Sequence, residues 1–167
     1  SENVNIYSDP LNPEIPGSTW SGDGLPVTRT QWVQNGVVKN LSYSRYWASQ
    51  KNVQPLPFSR SLVMEGGNQS LEDLIKSTEK GILVTRFWYI RMVDPQSLLL
   101  TGLTRDGTFY IENGEIKFPI KNFRFNESPV IMLNNVEALG KPVRTGSGLI
   151  PPMKIRDFTF SSLSDAI

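Results

Sequence analysis

Arginine and aromatic side chains occur together at two places in the sequence, residues 86–106 and 122–128. The candidate binding residues in these segments are Arg86, Trp88, Tyr89, Arg91, Arg105, Arg124 and Asn126. Guanidinium groups bind carboxylates through paired hydrogen bonds, and aromatic rings provide an apolar wall. One interpretation of the first segment is therefore a polar groove that grips a peptide backbone or a carboxylate. The other, which we favour, is a set of ion pairs between strands on the solvent face of a sheet, because structural ion pairs commonly produce such clusters.

The second segment alternates aromatic and polar residues just before a predicted helix. One interpretation places Arg124 and Asn126 in a site at the helix N-terminus, where anions bind well. The other, which we favour, buries Phe123 and Phe125 in the core, turns Arg124 outward and leaves Ser128 as a cap. Alternating arginine and phenylalanine also occurs in proteins that bind single-stranded nucleic acid. The formal net charge is only +1, so we expect no direct nucleic-acid contact.

The sequence contains no cysteine and no histidine. Thiolate zinc sites, histidine-based triads, cysteine nucleophiles and disulfides are therefore excluded within this chain. Ser147 lies in a glycine-rich loop, but no histidine is present to activate it. Oxygen ligands alone would favour a hard cation, and the spacing of an EF-hand is missing. We therefore predict no catalytic residue and no metal ligand in this chain.

Length and composition predict one globular domain over residues 1–167, with an irregular lead-in at residues 1–26 that is rich in Pro, Gly, Asn and Ser. Hydrophobic residues make up 38% of the chain, and the apolar runs are too short to span a membrane. The first residues lack the features of a signal peptide. Because the chain does not begin with methionine, we expect a processed product or a piece of a longer protein.

Turn residues and apolar runs predict a mainly β (α+β) protein with about eight strands. Asn35-Gly36, Asp106-Gly107 and Asn113-Gly114 each predict a tight hairpin, and the last two would join three strands into a meander. The nearly continuous apolar run at 82–90 predicts a strand with both faces covered. Residues 48–59 are predicted as a loop, and 153–160 as a last strand.

Two short helices are predicted. The first begins after Ser70, a typical cap, and ends at Gly81; the second begins at Pro129 and ends at Gly140. Helices and tightly connected strands together favour antiparallel sheets that form a sandwich or a partly closed barrel.

Several segments, in the same order, resemble the C-terminal domain of the TldD/PmbA family. Asp23-Gly24-Leu25-Pro26 resembles the family's acidic-Gly-x-Pro stretch, and residues 34–41 its following Asn-Gly-Val-Leu segment. The most specific match is the central block at residues 88–107. Residues 111–116, 122–129 and 148–155 continue the resemblance to the family's final strand. It covers nearly the whole chain.

The resemblance implies a part in zinc-dependent proteolysis, but not as the metal-binding part. The family's His-Glu-x-x-x-His helix belongs to an N-terminal domain, and its cysteine ligand should fall near Thr145 or Gly146, where this chain has none. The chain is therefore closer to the cysteine-lacking PmbA/TldE-like branch, either as a non-catalytic subunit or as a divergent member with another ligand set. Any zinc would lie in the full-length protein or its partner subunit.

Other expectations follow from the same resemblance. It implies a cytoplasmic location, a TldD-like partner subunit or a homodimer, and small or unfolded peptides as substrates in an enclosed cavity. This chain would supply walls and assembly contacts and would be inactive alone. Two hypotheses compete with this one. The first is a free-standing peptide-binding β module that uses an exposed strand edge near residues 87–90. The second is a regulatory domain, in line with the family's older name, modulator of DNA gyrase.

Overall fold

The computed structural model describes residues 1–164 and confirms the mainly β class: 44% of residues are in strands and 12% in helices. The elements in chain order are β1 (Ile6–Ser8), β2 (Thr30–Gln34), β3 (Val37–Val38), α1 (Arg45–Lys51), β4 (Leu62–Met64), α2 (Leu71–Lys76), β5 (Lys80–Val84), β6 (Phe87–Asp94), β7 (Leu99–Thr104), β8 (Thr108–Glu112), β9 (Glu115–Pro119), β10 (Asn122–Glu127), α3 (Pro129–Asn134), β11 (Val136–Leu139), β12 (Val143–Thr145), β13 (Gly148–Ile150), β14 (Met153–Ile155) and β15 (Phe160–Ser164). None of the three described helices is long and apolar enough to cross a membrane.

The chain divides into two compact units. Unit 1 comprises residues 1–68 and 139–152, and unit 2 comprises residues 69–138 together with the chain from residue 153 onward. The prediction of one domain over residues 1–167 stays a prediction.

Unit 1 is built on a six-stranded sheet with the order β12-β13-β4-β1-β2-β3. Its neighbouring strands are antiparallel, except for the parallel pair β4 and β13. Ile15, Val63 and Leu149 form its buried core, against which Tyr7 packs. The lead-in is thus mostly irregular, as predicted; its one short strand, predicted at residues 4–7, is β1 at Ile6–Ser8, and it also contributes the core residue Ile15.

The predicted hairpin at Asn35-Gly36 is confirmed. Both residues have positive φ, 49° and 74°, as a type I′ turn requires, and β2 and β3 pair around them. The returning strand was predicted to reach residue 46, and this is wrong: β3 ends at Val38, residues 39–44 are irregular apart from an isolated bridge between Tyr43 and Leu56, and a third helix, α1, begins at Arg45. The Ser44 hydroxyl accepts a hydrogen bond from the Trp47 N–H at its start, and Asn52 ends it in the left-handed conformation. The predicted loop at 48–59 therefore begins within this helix.

In unit 2, a four-stranded antiparallel sheet has the order β15-β10-β7-β6, and a three-stranded sheet has the order β5-β8-β9. Strands β11 and β14 form a further pair. Phenylalanine rings from three strands and one loop pack on one face of the four-stranded sheet, with ring centroids 4.9–5.6 Å apart. These residues are Phe87, Phe123, Phe125, Phe158 and Phe160.

The hairpin at Asn113-Gly114 is confirmed, whereas the one at Asp106-Gly107 is wrong. Both turns contain positive φ angles, but Asp106-Gly107 joins strands of two different sheets. Strand β7 has β6 and β10 on its two edges, while β8 has β5 and β9. With all four edges occupied, β7 and β8 cannot pair, so the predicted three-stranded meander does not form.

Both predicted helices begin where expected but end several residues before the predicted glycines, Gly81 and Gly140. Helix α2 has a capping box between Ser70 and Asp73, but it ends at Lys76 because residues 80–84 pair with β8 as strand β5. Helix α3 ends at Asn134, and the next residues pair with β14 as β11. The predicted final strand is likewise divided into β14 and β15. The described residues form several sheets and no closed barrel.

The predicted strand at 82–90 is two strands in two sheets. The chain leaves the first sheet at Thr85, whose N–H and hydroxyl both donate to the Gly107 carbonyl. The prediction that both faces are covered is wrong: Tyr89 is 58% exposed and Ile90 46% exposed. Strand β6 is the edge of its sheet, so one backbone edge of this part of the run is also unpaired among the described residues.

Candidate functional site

Strand register brings the candidate residues from distant parts of the sequence onto one face of the four-stranded sheet. Trp88 on β6 lies opposite Leu103 on β7, and Leu103 lies opposite Arg124 on β10. Directly opposed residues share a face, so Trp88 and Arg124 stand on the same side, with Leu103 between them. This side is the reverse of the one that carries the phenylalanine cluster.

A second row runs parallel to the first. Arg91 lies opposite Thr101, which lies opposite Asn126. Arg91, Arg124 and Asn126 are exposed, whereas Leu103 beneath them is buried. The two rows form a trough along β7, which we call the arginine trough. Its floor is Leu103 and Thr101, and its walls are the polar residues of β6 and β10.

One wall of the trough is a continuous stack of two aromatic rings between two guanidinium groups. The guanidinium carbon of Arg105 lies 4.3 Å from the centre of the Trp88 ring, and that of Arg91 lies 4.4 Å from the Tyr89 ring. The two rings themselves are 5.3 Å apart. We call this group the cation–aromatic stack. Such contacts are attractive because the ring faces are electronegative.

A bulge in β6 makes this stack possible. Adjacent residues of a strand normally point to opposite faces, which would separate Trp88 from Tyr89. The register shifts between Trp88 and Arg91, and Tyr89 has a φ of 54°. An extra residue in left-handed conformation changes the direction of the following side chains. The bulge therefore brings the Tyr89 ring against Trp88.

Arg86, the remaining arginine of this segment, forms an ion pair. Its guanidinium donates to Asp106, and the same carboxylate lies 3.5 Å from the Arg105 guanidinium. The predicted ion-pair explanation therefore describes Arg86 and, in part, Arg105. It does not describe Arg91 and Arg124, for which residues 1–164 supply no carboxylate partner within 4.0 Å.

The turn after β6 binds its own acidic residue. Asp94 accepts hydrogen bonds from the Ser97 hydroxyl and from the Gln96 and Ser97 N–H groups. The Ser97 hydroxyl, followed by the Gln96 N–H, holds the pKa of the Asp94 carboxyl below its ordinary value. Asp94 is thus hydrogen-bonded within its own turn, and among residues 1–164 it forms no ion pair with an arginine of the trough.

The predicted site at the second helix N-terminus is not formed as described. Phe125 is buried and Arg124 is exposed, in agreement with the core interpretation of this segment. However, the Ser128 hydroxyl makes no cap; it donates to the Ser97 carbonyl. Glu127 is buried and accepts from the Ser128 and Thr159 N–H groups. Arg124 and Asn126 thus belong to the sheet face rather than to the helix end.

The donor set of this chain does not fit zinc. Histidine and cysteine are missing from the sequence, and within residues 1–164 no three Asp or Glu side chains come close enough to hold an ion. The position at which the resemblance expects a cysteine lies in the β12–β13 hairpin of unit 1. Thr145 ends β12 there, and Gly146 turns the chain with a φ of 62°; both are exposed.

Unit 1 contains two shallow adjoining depressions, of about 340 and 430 Å³, which share Glu65 and Gly66. Neither includes any of the predicted site residues.

Two features of the arginine trough were not predicted from the sequence: its floor at Thr101 and Leu103, and the bulge in β6. Residues 99–104 do not alternate between apolar and polar types, so the sequence carries no clear signal for the floor, and nothing in it fixes the register of β7 against β10.

Comparison with known proteins identifies the family. Residues 1–162 match the family described as PmbA/TldA metallopeptidase C-terminal domain. The chain is 26% identical over 165 residues to a metalloprotease from Methanothermobacter thermautotrophicus, covering 89% of this chain and 35% of the relative. It is 22% identical to the metalloprotease PmbA of Escherichia coli O157:H7, covering 84% of this chain and 33% of that protein.

Solved structures agree with this assignment. A putative modulator of DNA gyrase from Bacteroides thetaiotaomicron superposes with a TM-score of 0.86 at 26% identity, over 98% of this chain and 37% of that one. TldE from Thermococcus kodakarensis gives a TM-score of 0.83 at 21% identity, over 96% and 40%, and shows the shared fold. The chain spans about a third of the length of the curated relatives it matches. It belongs to the PmbA/TldA metallopeptidase C-terminal domain family.

Proposed function

We propose that this chain is the C-terminal part of a TldD/PmbA-type metallopeptidase assembly that acts on small or unfolded peptides. In this proposal it supplies cavity walls and subunit contacts, and the zinc ligands come from elsewhere in the full-length protein or from its partner. The observation that carries the proposal is a family match over residues 1–162 in a chain without histidine or cysteine. Zinc sites in proteins rely mainly on these two residue types.

Exposed apolar side chains at the sheet edges support a role in assembly. Strand β9 forms the outer edge of the three-stranded sheet, and its Ile116 and Phe118 are 47% and 54% exposed. Strand β6 exposes Ile90 and Val93 at the edge of the four-stranded sheet. Open apolar edges invite pairing with another chain, and proteins commonly cover them by assembly. A TldD-like subunit or a second copy of the same protein, in the cytoplasm, is the proposed partner.

Three samples test this proposal: the full-length protein with its TldD-like partner, the full-length protein without it, and residues 1–167 alone. Zinc content and cleavage of an unfolded peptide are measured on each sample. We expect activity and zinc in the assembly, and neither in residues 1–167 alone. Cleavage of the peptide by this chain in isolation would contradict the proposed division of roles.

A free-standing peptide-binding β module is the second candidate. The observation in its favour is that, among the described residues, β6 hydrogen-bonds to β7 alone and leaves its other edge open. This hypothesis expects peptide affinity without any partner, and a loss of affinity in Trp88→Ala. Unchanged affinity in that variant would count against this edge.

A further inference from the structure

We propose that the arginine trough of unit 2 binds acidic segments of extended peptides. The peptide lies along β7 between the cation–aromatic stack and the β10 wall, and its carboxylates pair with Arg91 and Arg124. The proposal deepens the proposed function by naming a class of peptide substrate. It rests on that function only in treating the bound peptides as substrates. Binding itself is a property of this chain.

The width of the trough fits one extended chain. Strands β6 and β10 are separated by β7, so their backbones lie about 10 Å apart at the usual strand spacing. Between them, the β7 positions on this face carry Thr101, which is small, and Leu103, which is buried. Longer side chains rise on both sides, Trp88 and Arg91 from β6 and Arg124 from β10. These side chains flank the β7 positions on both sides, and Leu103 itself is only 7% exposed, so an extended chain would contact the two rims and not Leu103.

The positive charge of two arginines favours an acidic peptide as the occupant of the trough. Asp106 pairs with Arg86 and Arg105, and Asp94 is held by its own turn. Within residues 1–164, Arg91 and Arg124 on the two rims therefore keep guanidinium groups without a carboxylate partner. Guanidinium–carboxylate pairs are the complement that such groups favour.

Two other groups suit a peptide. Asn126 is exposed on the β10 rim, and its side-chain amide offers both donors and an acceptor, as a peptide bond requires. The exposed Tyr89 ring presents an apolar surface at the other rim. Nucleic acid is the less suitable occupant, because the net charge of +1 provides no long-range attraction for a phosphate backbone.

The binding test uses the full chain and three fluorescently labelled peptides of equal length. In the first, valine alternates with glutamate; in the second and third, glutamine or lysine replaces glutamate. Fluorescence anisotropy measures each Kd at low and at raised salt. We expect the glutamate peptide to bind about tenfold more tightly than the glutamine peptide, and the lysine peptide to bind weakest. Added salt should narrow these differences.

Two variants locate the site. Arg124→Gln should remove most of the preference for glutamate over glutamine, and Asn126→Asp should weaken glutamate binding and improve lysine binding. Arg144→Gln is the matched control, because it removes one exposed arginine from unit 1. Circular dichroism confirms that each variant is folded. The control should retain the full preference.

Three results would overturn the inference. These are equal affinity for the glutamate and glutamine peptides, equal effects of Arg124→Gln and Arg144→Gln, and tighter binding of an oligothymidylate than of the glutamate peptide. Each of them leaves the zinc and activity measurements on the assembly unaffected. Failure of this inference is therefore distinguishable from failure of the proposed function.

Discussion

The two faces of the four-stranded sheet in unit 2 are built from the same strands but do different things. One face carries the phenylalanine cluster, in which Phe125 is 4% exposed. The other carries Arg91, Arg124 and Asn126, all exposed. Residues 124–126 show the alternation most clearly, with a buried ring between two solvent-facing polar groups. The comparison teaches that a single register, set by packing on one face, also positions the polar residues on the other.

The largest expected effect comes from the buried face. Phe125→Ala removes a ring that contacts both Phe87 and Phe158, so it should destabilise the protein by about 3–5 kcal/mol. Arg124→Gln, at the adjacent position on the open face, should change stability by less than about 0.5 kcal/mol. Urea unfolding followed by circular dichroism measures both. Equal losses of stability in Phe125→Ala and Arg124→Gln would contradict the distinction between the two faces.

The next effect concerns the polar centre of the buried face. Thr104 is fully buried; its hydroxyl accepts from the Phe123 N–H and the Thr108 hydroxyl and donates to the Asn122 side chain. Thr104→Val keeps the shape but leaves the Phe123 N–H without its acceptor, at a cost of about 1–3 kcal/mol, while the Thr108 hydroxyl keeps its hydrogen bond to the Asn122 side chain.

The matched control for that change is Thr159→Val, the same substitution at an exposed position. It should shift the urea midpoint little. If the two valine variants unfold at the same denaturant concentration, the buried hydroxyl network contributes nothing measurable and this part of the account is wrong.

A smaller effect should come from the bulge that interrupts the alternation. Tyr89→Gly and Tyr89→Ala both remove the ring, but only glycine adopts the φ of 54° without strain. The glycine variant should therefore be the more stable of the two by about 1 kcal/mol. Chemical denaturation of the pair provides the comparison. An alanine variant at least as stable as the glycine variant would argue against a left-handed residue here.

The smallest effect is a pH dependence at the turn beyond β6. Hydrogen bonds from Ser97 and Gln96 lower the pKa of Asp94 from its ordinary value of 3.8. A group whose pKa is lower in the folded state stabilises the fold above its unfolded pKa, and this stabilisation is lost as the pH falls through the folded pKa. Wild type should therefore exceed Asp94→Asn in stability at neutral pH. The difference should shrink below about pH 4, and urea midpoints at several pH values would show a constant or growing gap if this were wrong.

Local signals in the sequence were sufficient for some elements. The Asn-Gly pairs at 35–36 and 113–114 specify their hairpins because few other residues tolerate positive φ at both turn positions. Ser70 and Asp73 specify the start of α2 through a capping box. Ser44 and Asn52 mark the ends of α1 by similar chemistry, so the missed helix had a signal that could have been used.

Other features depend on pairings between distant segments. Asp106-Gly107 has the composition of a hairpin turn, yet it joins two sheets because each flanking strand already has two partners. The helices end early for the same reason, since residues 80–84 and 136–139 pair as strands. At the site, residue types suggested the arginine and aromatic cluster. Its placement on one face required the register of β6, β7 and β10, which no local pattern encodes.

The central claim is that this chain contributes to a metallopeptidase family without holding the metal. Zinc titration of residues 1–167 by calorimetry, with the bound metal counted after dialysis, tests it most directly. The account predicts no tight binding and no retained zinc, because the sequence lacks the histidine and cysteine ligands that zinc sites favour. Tight one-to-one binding of zinc to the isolated chain would contradict it.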